Sequence, residues 1–172
     1  MEKIFYADKS AFATDAALKK ILIEYYGKSA PEILRTKNGK PYVENGPFFS
    51  VTHTKNRLYI AFSEEEIGLD AESITRVPYY ETIVKKFSPA EQEEILNAED
   101  FLRHWVVKES TVKYLGGTLA QDLYKLHYAK GNLSYNEQPL SVQINLLRHE
   151  EFILSVCGNG KLENATFIEL LP

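Results

Sequence analysis

Two acids separated by one residue, Asp70 and Glu72, stand in the segment Ile67-Gly68-Leu69-Asp70-Ala71-Glu72. Its alternation of period two predicts a strand with Ile67, Leu69 and Ala71 on one face and Gly68, Asp70 and Glu72 on the other. Residues i and i+2 lie roughly 6.6 Å apart along a strand. Both carboxylates can therefore converge on one cation, with room left beside Gly68. The plainer alternative is a solvent-facing strand edge carrying two surface acids. A third acid, Glu109, changes the balance. At about 100° per residue, Phe101, Val112, Trp105, Glu109, Leu102, Lys113 and Val106 share one side of a helix, which places Glu109 inside an apolar stripe. A carboxylate there loses hydration and needs a cation or donors. Lys113 at i+4 offers a half-buried helix salt bridge. Alternatively, Glu109 joins Asp70 and Glu72 around a divalent ion and Lys113 faces the same substrate. Three carboxylates with water and phosphate oxygens suit Mg²⁺ better than zinc, which prefers nitrogen and sulfur.

Phe49-Ser50-Val51-Thr52-His53-Thr54 supplies an imidazole flanked by two hydroxyls. If Phe49 and Val51 face inward, His53 shares their face at the strand end. It is then either a core histidine with a satisfied ring or a phosphate ligand. Arg35-Thr36-Lys37-Asn38-Gly39-Lys40-Pro41 is a turn with three cations, a solvated loop that would also fit a phosphate.

Strands and helices alternate around these groups. Residues 3–7 read as a first strand. Leu18, Ile21, Leu22 and Tyr25 trace a helical face over Thr14–Tyr26, with Thr14 as its cap and Gly27 as its end. Strands follow at 48–54, 58–63 and 66–72. Ser88-Pro89-Ala90-Glu91 carries a capping-box start for a helix to about Ala98, and a second helix runs from Asp100 to Tyr114, stopped by Gly116-Gly117. Strands at 124–129, 142–147, 152–157 and 165–170 complete an α+β pattern.

The 172 residues are 44% hydrophobic, enough for a folded core and against intrinsic disorder. Twenty basic against 24 acidic side chains leave a net charge of −4, so no global field exists to hold nucleic acid, and any phosphate must be held locally. The lone Cys157 allows no internal disulfide, the N-terminus shows no signal-peptide apolar region, and no apolar run is long enough to span a membrane. A cytoplasmic protein is the expectation.

Taken in order, Gly39-Lys40-Pro41, Phe49-Ser50-Val51-Thr52-His53-Thr54, Ile67-Gly68-Leu69-Asp70-Ala71-Glu72, Phe87-Ser88-Pro89-Ala90-Glu91 and Trp105-Val106-Val107-Lys108-Glu109-Ser110-Thr111-Val112-Lys113 resemble the motifs of the Sfp-type 4'-phosphopantetheinyl transferases, within the holo-acyl-carrier-protein synthase superfamily. The resemblance covers roughly Asn38 to the C-terminus. It implies a pseudo-two-fold pair of similar lobes, approximately 1–70 and 71–172, each a small mostly antiparallel sheet with a packed helix. Coenzyme A and Mg²⁺ would bind between them. It further implies Asp70, Glu72 and Glu109 as metal ligands and Lys113 beside the transferring phosphate. Lys40, Pro41, Thr52 and His53 would lie at the nucleotide end of coenzyme A, its 3'-phosphate above all.

The activity implied is transfer of phosphopantetheine from coenzyme A to a serine of an acyl or peptidyl carrier protein, by a monomer, with Glu109 as base. A basic patch of Arg76, Lys85 and Lys86, with Val77, Tyr79 and Tyr80, would meet the acidic carrier. Besides Ala71, which stands between Asp70 and Glu72 where a larger aliphatic residue is common and should alter packing more than metal binding, two features depart from the family: a short N-terminal segment and Gly116-Gly117-Thr118-Leu119 where Gly-x-Gly-Leu is usual. They leave open a catalytically impaired relative that binds coenzyme A or carrier without transfer. A Mg²⁺-dependent phosphoesterase using the same acids is a further alternative.

Overall fold

The computed structural model describes residues 3–75, 79–160 and 165–172. Strand β1 (Lys3–Asp8) leads into helix α1 (Thr14–Tyr26), the short pair β2 (Leu34–Arg35) and β3 (Pro41–Tyr42), and strands β4 (Phe48–Thr54), β5 (Arg57–Ser63) and β6 (Ile67–Ser73). Helices α2 (Glu81–Val84), α3 (Pro89–Glu94), α4 (Ala98–Leu115) and α5 (Leu119–Asp122) follow, then a 3₁₀ turn at Leu123–Lys125. The chain closes with β7 (Leu126–Ala129), β8 (Asn132–Tyr135), β9 (Gln138–Pro139), β10 (Gln143–His149), β11 (Phe152–Gly158) and β12 (Thr166–Glu169). The protein is α+β.

Two sheets carry the architecture. The first has the order β12-β1-β5-β4 and the second β10-β11-β6. All their pairings are antiparallel except β12 with β1. Period-two alternation lets each sheet bury both faces. Phe5, Leu58, Ile60 and Phe62 meet Leu18, Ile21 and Leu22 of α1 on the outer face of the first sheet. Ile4, Tyr59 and Ala61 on its inner face meet Ile67, Leu69, Leu154 and Val156 of the second. On the far side, Ile153 packs with Phe101, Leu102 and Val106 of α4. The layers thus run α1, sheet, sheet, α4. The lobe boundary expected near residue 70 falls inside β6, which pairs along its whole length with β11, so the chain passes between sheets in the turn before Ile67.

Local signals at the helix ends hold with three exceptions. Gly27 and Gly116 take left-handed conformations (φ 63° and 67°) and end α1 and α4, as a residue without Cβ can. Ser88 and Glu91 form the reciprocal capping box. Thr14, expected to cap α1, is instead its first residue; Ala13 takes the cap position and the Thr14 hydroxyl turns to His53. Helix α3 stops at Glu94 rather than near Ala98, because Ile95 leaves helical geometry (φ −92°, ψ 89°). Asn97 then accepts from the Glu99 and Asp100 amides, so α4 starts at Ala98, before Asp100.

Candidate active site

Helix α4 reaches its position because β6 offers it a glycine. A Cβ on Gly68 would meet the Ser110 carbonyl oxygen at 1.9 Å and the Tyr114 amide nitrogen at 2.6 Å, so only glycine admits the helix this close. The acid-bearing face of β6 is therefore covered by α4. Asp70 is 3% exposed, not a surface acid.

Three groups converge on it. Thr52 Oγ1 donates to Asp70 Oδ1 at 2.8 Å and Lys113 Nζ donates to the same oxygen at 2.8 Å and to Leu69 O at 3.0 Å. Asp70 Oδ2 is buried with no hydrogen-bond partner. Glu109 is half-buried beside it and accepts from the Trp105 side chain, its neighbour one turn earlier. Burial first, then the Asp70 charge, push the Glu109 carboxyl up to about 8, against the pull of Lys113. Lys113 thus spans to the strand rather than closing the i+4 pair with Glu109.

The rim comes from β4, whose Ser50, Thr52 and Thr54 are buried and face β6. Ser50 Oγ accepts from the Leu69 amide at 2.9 Å, and Thr54 Oγ1 donates to Glu72 Oε2 at 3.1 Å. This hydroxyl ladder joins the edges of the two sheets and delivers Glu72 and Asp70 to one side. His53 points to the opposite side of β4 and is exposed, so it is no core histidine; its Nε2 meets Thr14 Oγ1 at 2.8 Å. Partial burial, then Lys9 and Lys113, hold its pKa below 6.5. Thr14 and Lys9 were not legible as neighbours of this group, since both lie on separate elements.

Lys40 and Pro41 come from the end of the β2–β3 turn and the start of β3. They border a cavity of about 420 Å³ with Phe48, Phe49 and Glu66. The Lys40 ammonium donates to Glu66 Oε1, to Ile67 O at 3.0 Å and to Lys113 O at 2.9 Å, which engages all three of its protons. Among the described residues no helix is long and apolar enough to cross a membrane. Of the expected carrier patch, Arg76 and Val77 lie outside the described residues; Lys85 and Lys86 are exposed, and Tyr79 is 93% exposed. Tyr80 stacks on Phe101 at 5.2 Å.

Among the described residues no three His, Cys, Asp or Glu side chains are gathered closely enough to hold a metal ion. Their chemistry nonetheless fits a hard divalent cation. The orphaned Asp70 Oδ2 and the raised Glu109 both mark a buried excess of carboxylate over cation, and every donor is oxygen.

The α+β fold thus sets a group of carboxylates and one lysine at a sheet-helix seam. The model of the 4'-phosphopantetheinyl transferase superfamily matches residues 66–157, and the chain belongs to that superfamily. Membership in this superfamily implies phosphopantetheine transfer from coenzyme A to carrier proteins. A comparison with curated proteins gives no match.

Proposed function

We propose that the protein is a Mg²⁺-dependent transferase of the Sfp type. It moves 4'-phosphopantetheine from coenzyme A to a serine hydroxyl of an acyl or peptidyl carrier protein, releasing adenosine 3',5'-bisphosphate. The two helix-backed sheets serve as the two lobes, related by an approximate two-fold, and coenzyme A lies between them. The protein acts as a cytoplasmic monomer. The observation that carries this reading is the unpartnered buried Oδ2 of Asp70 beside the Lys113 ammonium.

Asp70, Glu72 and Glu109 would hold the ion. When bound, Mg²⁺ offsets the negative charge of the pyrophosphate oxygens. Lys113 stabilises charge on the leaving bisphosphate as its P–O bond breaks, and Asp70 with Thr52 holds that ammonium in place. Glu109 accepts the serine proton. His53 and Thr14 receive the 3'-phosphate, while the cavity bordered by Lys40 and Pro41 takes the nucleotide end.

The test is the intact mass of an apo acyl carrier protein incubated with this protein, coenzyme A and Mg²⁺, with an EDTA control. One added phosphopantetheine, lost with EDTA, is expected. Coenzyme A binding without any gain across several carriers would overturn transfer in favour of a binding-only relative. Adenosine 3',5'-bisphosphate formed without carrier would indicate hydrolysis.

A further inference from the structure

Helix α4 ends in a Schellman arrangement: the Gly117 amide donates to Val112 O at 3.0 Å and the Gly116 amide to Lys113 O at 3.2 Å. Two side chains from the turn between β2 and β3 are added to this end. Asn38 Nδ2 donates to Gly116 O at 2.7 Å, and Lys40 Nζ donates to Lys113 O at 2.9 Å. The same ammonium holds Ile67 O on β6 at 3.0 Å. Lys40 therefore ties the backbone of Lys113 to the strand that carries Asp70 three residues further on.

We propose that Lys40 and Asn38 are positioning residues that clamp the last turn of α4 onto β6, so that the Lys113 ammonium reaches Asp70, and that Lys40 is not a ligand of a coenzyme A phosphate. Three observations converge. The Lys40 side chain is only 17% exposed and its three protons are engaged within the protein. A cation at a helix C-terminus is favoured by the dipole, and its bonds to the last carbonyls satisfy groups the helix itself leaves open. The seam it closes has no slack, since Gly68, between Ile67 and Leu69, is in backbone contact with Ser110 and Tyr114. The ion pair with the part-exposed Glu66 adds orientation more than strength.

This deepens the transferase reading and is tested in two ways, one of which needs no activity. Amide exchange on the free protein should show Gly116 and Gly117 exchanging about tenfold faster in Lys40→Met and in Asn38→Ala than in the native chain. Glu66→Gln should move them the same way by less. In transfer assays, Lys40→Met should lower kcat about tenfold while leaving the preference for coenzyme A over 3'-dephospho-coenzyme A unchanged. A lost 3'-phosphate contact does the reverse: KM for coenzyme A rises, kcat stays, and the preference collapses. That result, or unchanged exchange at Gly116 and Gly117, would overturn the proposal. If the native protein transfers nothing, the proposed function fails but the exchange measurement still decides the clamp, and Asn38→Ala carries it should Lys40→Met not fold.

Discussion

Lys113 Nζ lies 2.8 Å from Asp70 Oδ1, so the helix lends its ammonium to the strand carboxylate and not to Glu109 one turn away. That choice leaves Glu109 in a buried field of like charge. Lys113→Met should lower kcat by about 10²–10³, the scale of removing one preorganised electrostatic partner. Circular dichroism should show the fold retained. Activity within threefold of native would remove Lys113 from the proposed machinery.

Metal removal should act on stability as well as on rate. The Glu109 carboxyl is pushed up to about 8 from an ordinary 4.5, so its neutral form favours folding: that stability is full below 4.5 and is lost as pH rises through 8. In EDTA the native protein should lose stability between those values, and Mg²⁺ should restore it at the upper end. Glu109→Gln should flatten this slope, abolish turnover and lose the Mg²⁺ response. Chemical denaturation across this pH range, with and without Mg²⁺, provides the check. An unchanged slope in the variant would contradict the burial argument.

Gly68→Ala probes the seam directly. Its Cβ would meet backbone atoms of α4, which cannot rotate away as a flexible side chain can. A loss of roughly 1–3 kcal/mol is expected, toward the upper end, with activity falling alongside. Thermal denaturation with matched kinetics would show both. A fully stable and fully active variant would mean that α4 is not held this close.

Lys108, beside Glu109 but on another helical face, is fully buried and paired with the fully buried Glu91 at 2.8 Å. Its ammonium sits 3.8 Å from the centre of the Phe87 ring. Glu91 also receives the Ser88 and Tyr128 amides, so it links α3, α4 and β7. Lys108→Met should cost about 3–5 kcal/mol by leaving a buried carboxylate short of its cation, and replacing both partners by apolar residues should cost less. Urea unfolding of the single and double variants separates the two.

Cys157 is fully buried, and burial raises its thiol to about 12. It should resist a disulfide thiol reagent at pH 8 in the folded state and react at once in denaturant. Since its folded pKa exceeds the ordinary 9.0, the neutral thiol supports folding up to about pH 9, and that support is lost as pH rises through 12. Rapid native labelling would argue against the packing of β11 under α4.

The alternation of β6, the apolar stripe of α4 and the Ser88 capping box were legible in the sequence because each is local. A period of two or 3.6 residues sorts faces, and a cap needs only four consecutive residues. So Asp70 and Glu72 could be put on one face and Glu109 on a helix stripe from residue order alone. The sequence could not say what lay opposite those faces. Thr14 looked like a cap until α1 docked against β4 and brought His53 to its hydroxyl. Lys40 looked like a free cation on a turn until the seam placed three acceptors around it. Lys113 looked able to pair with Glu109 or to face a substrate, until the fold set Asp70 against its ammonium. Those outcomes depend on contacts between residues far apart in the chain, where packing of Gly68 under α4 sets distances that no local periodicity encodes.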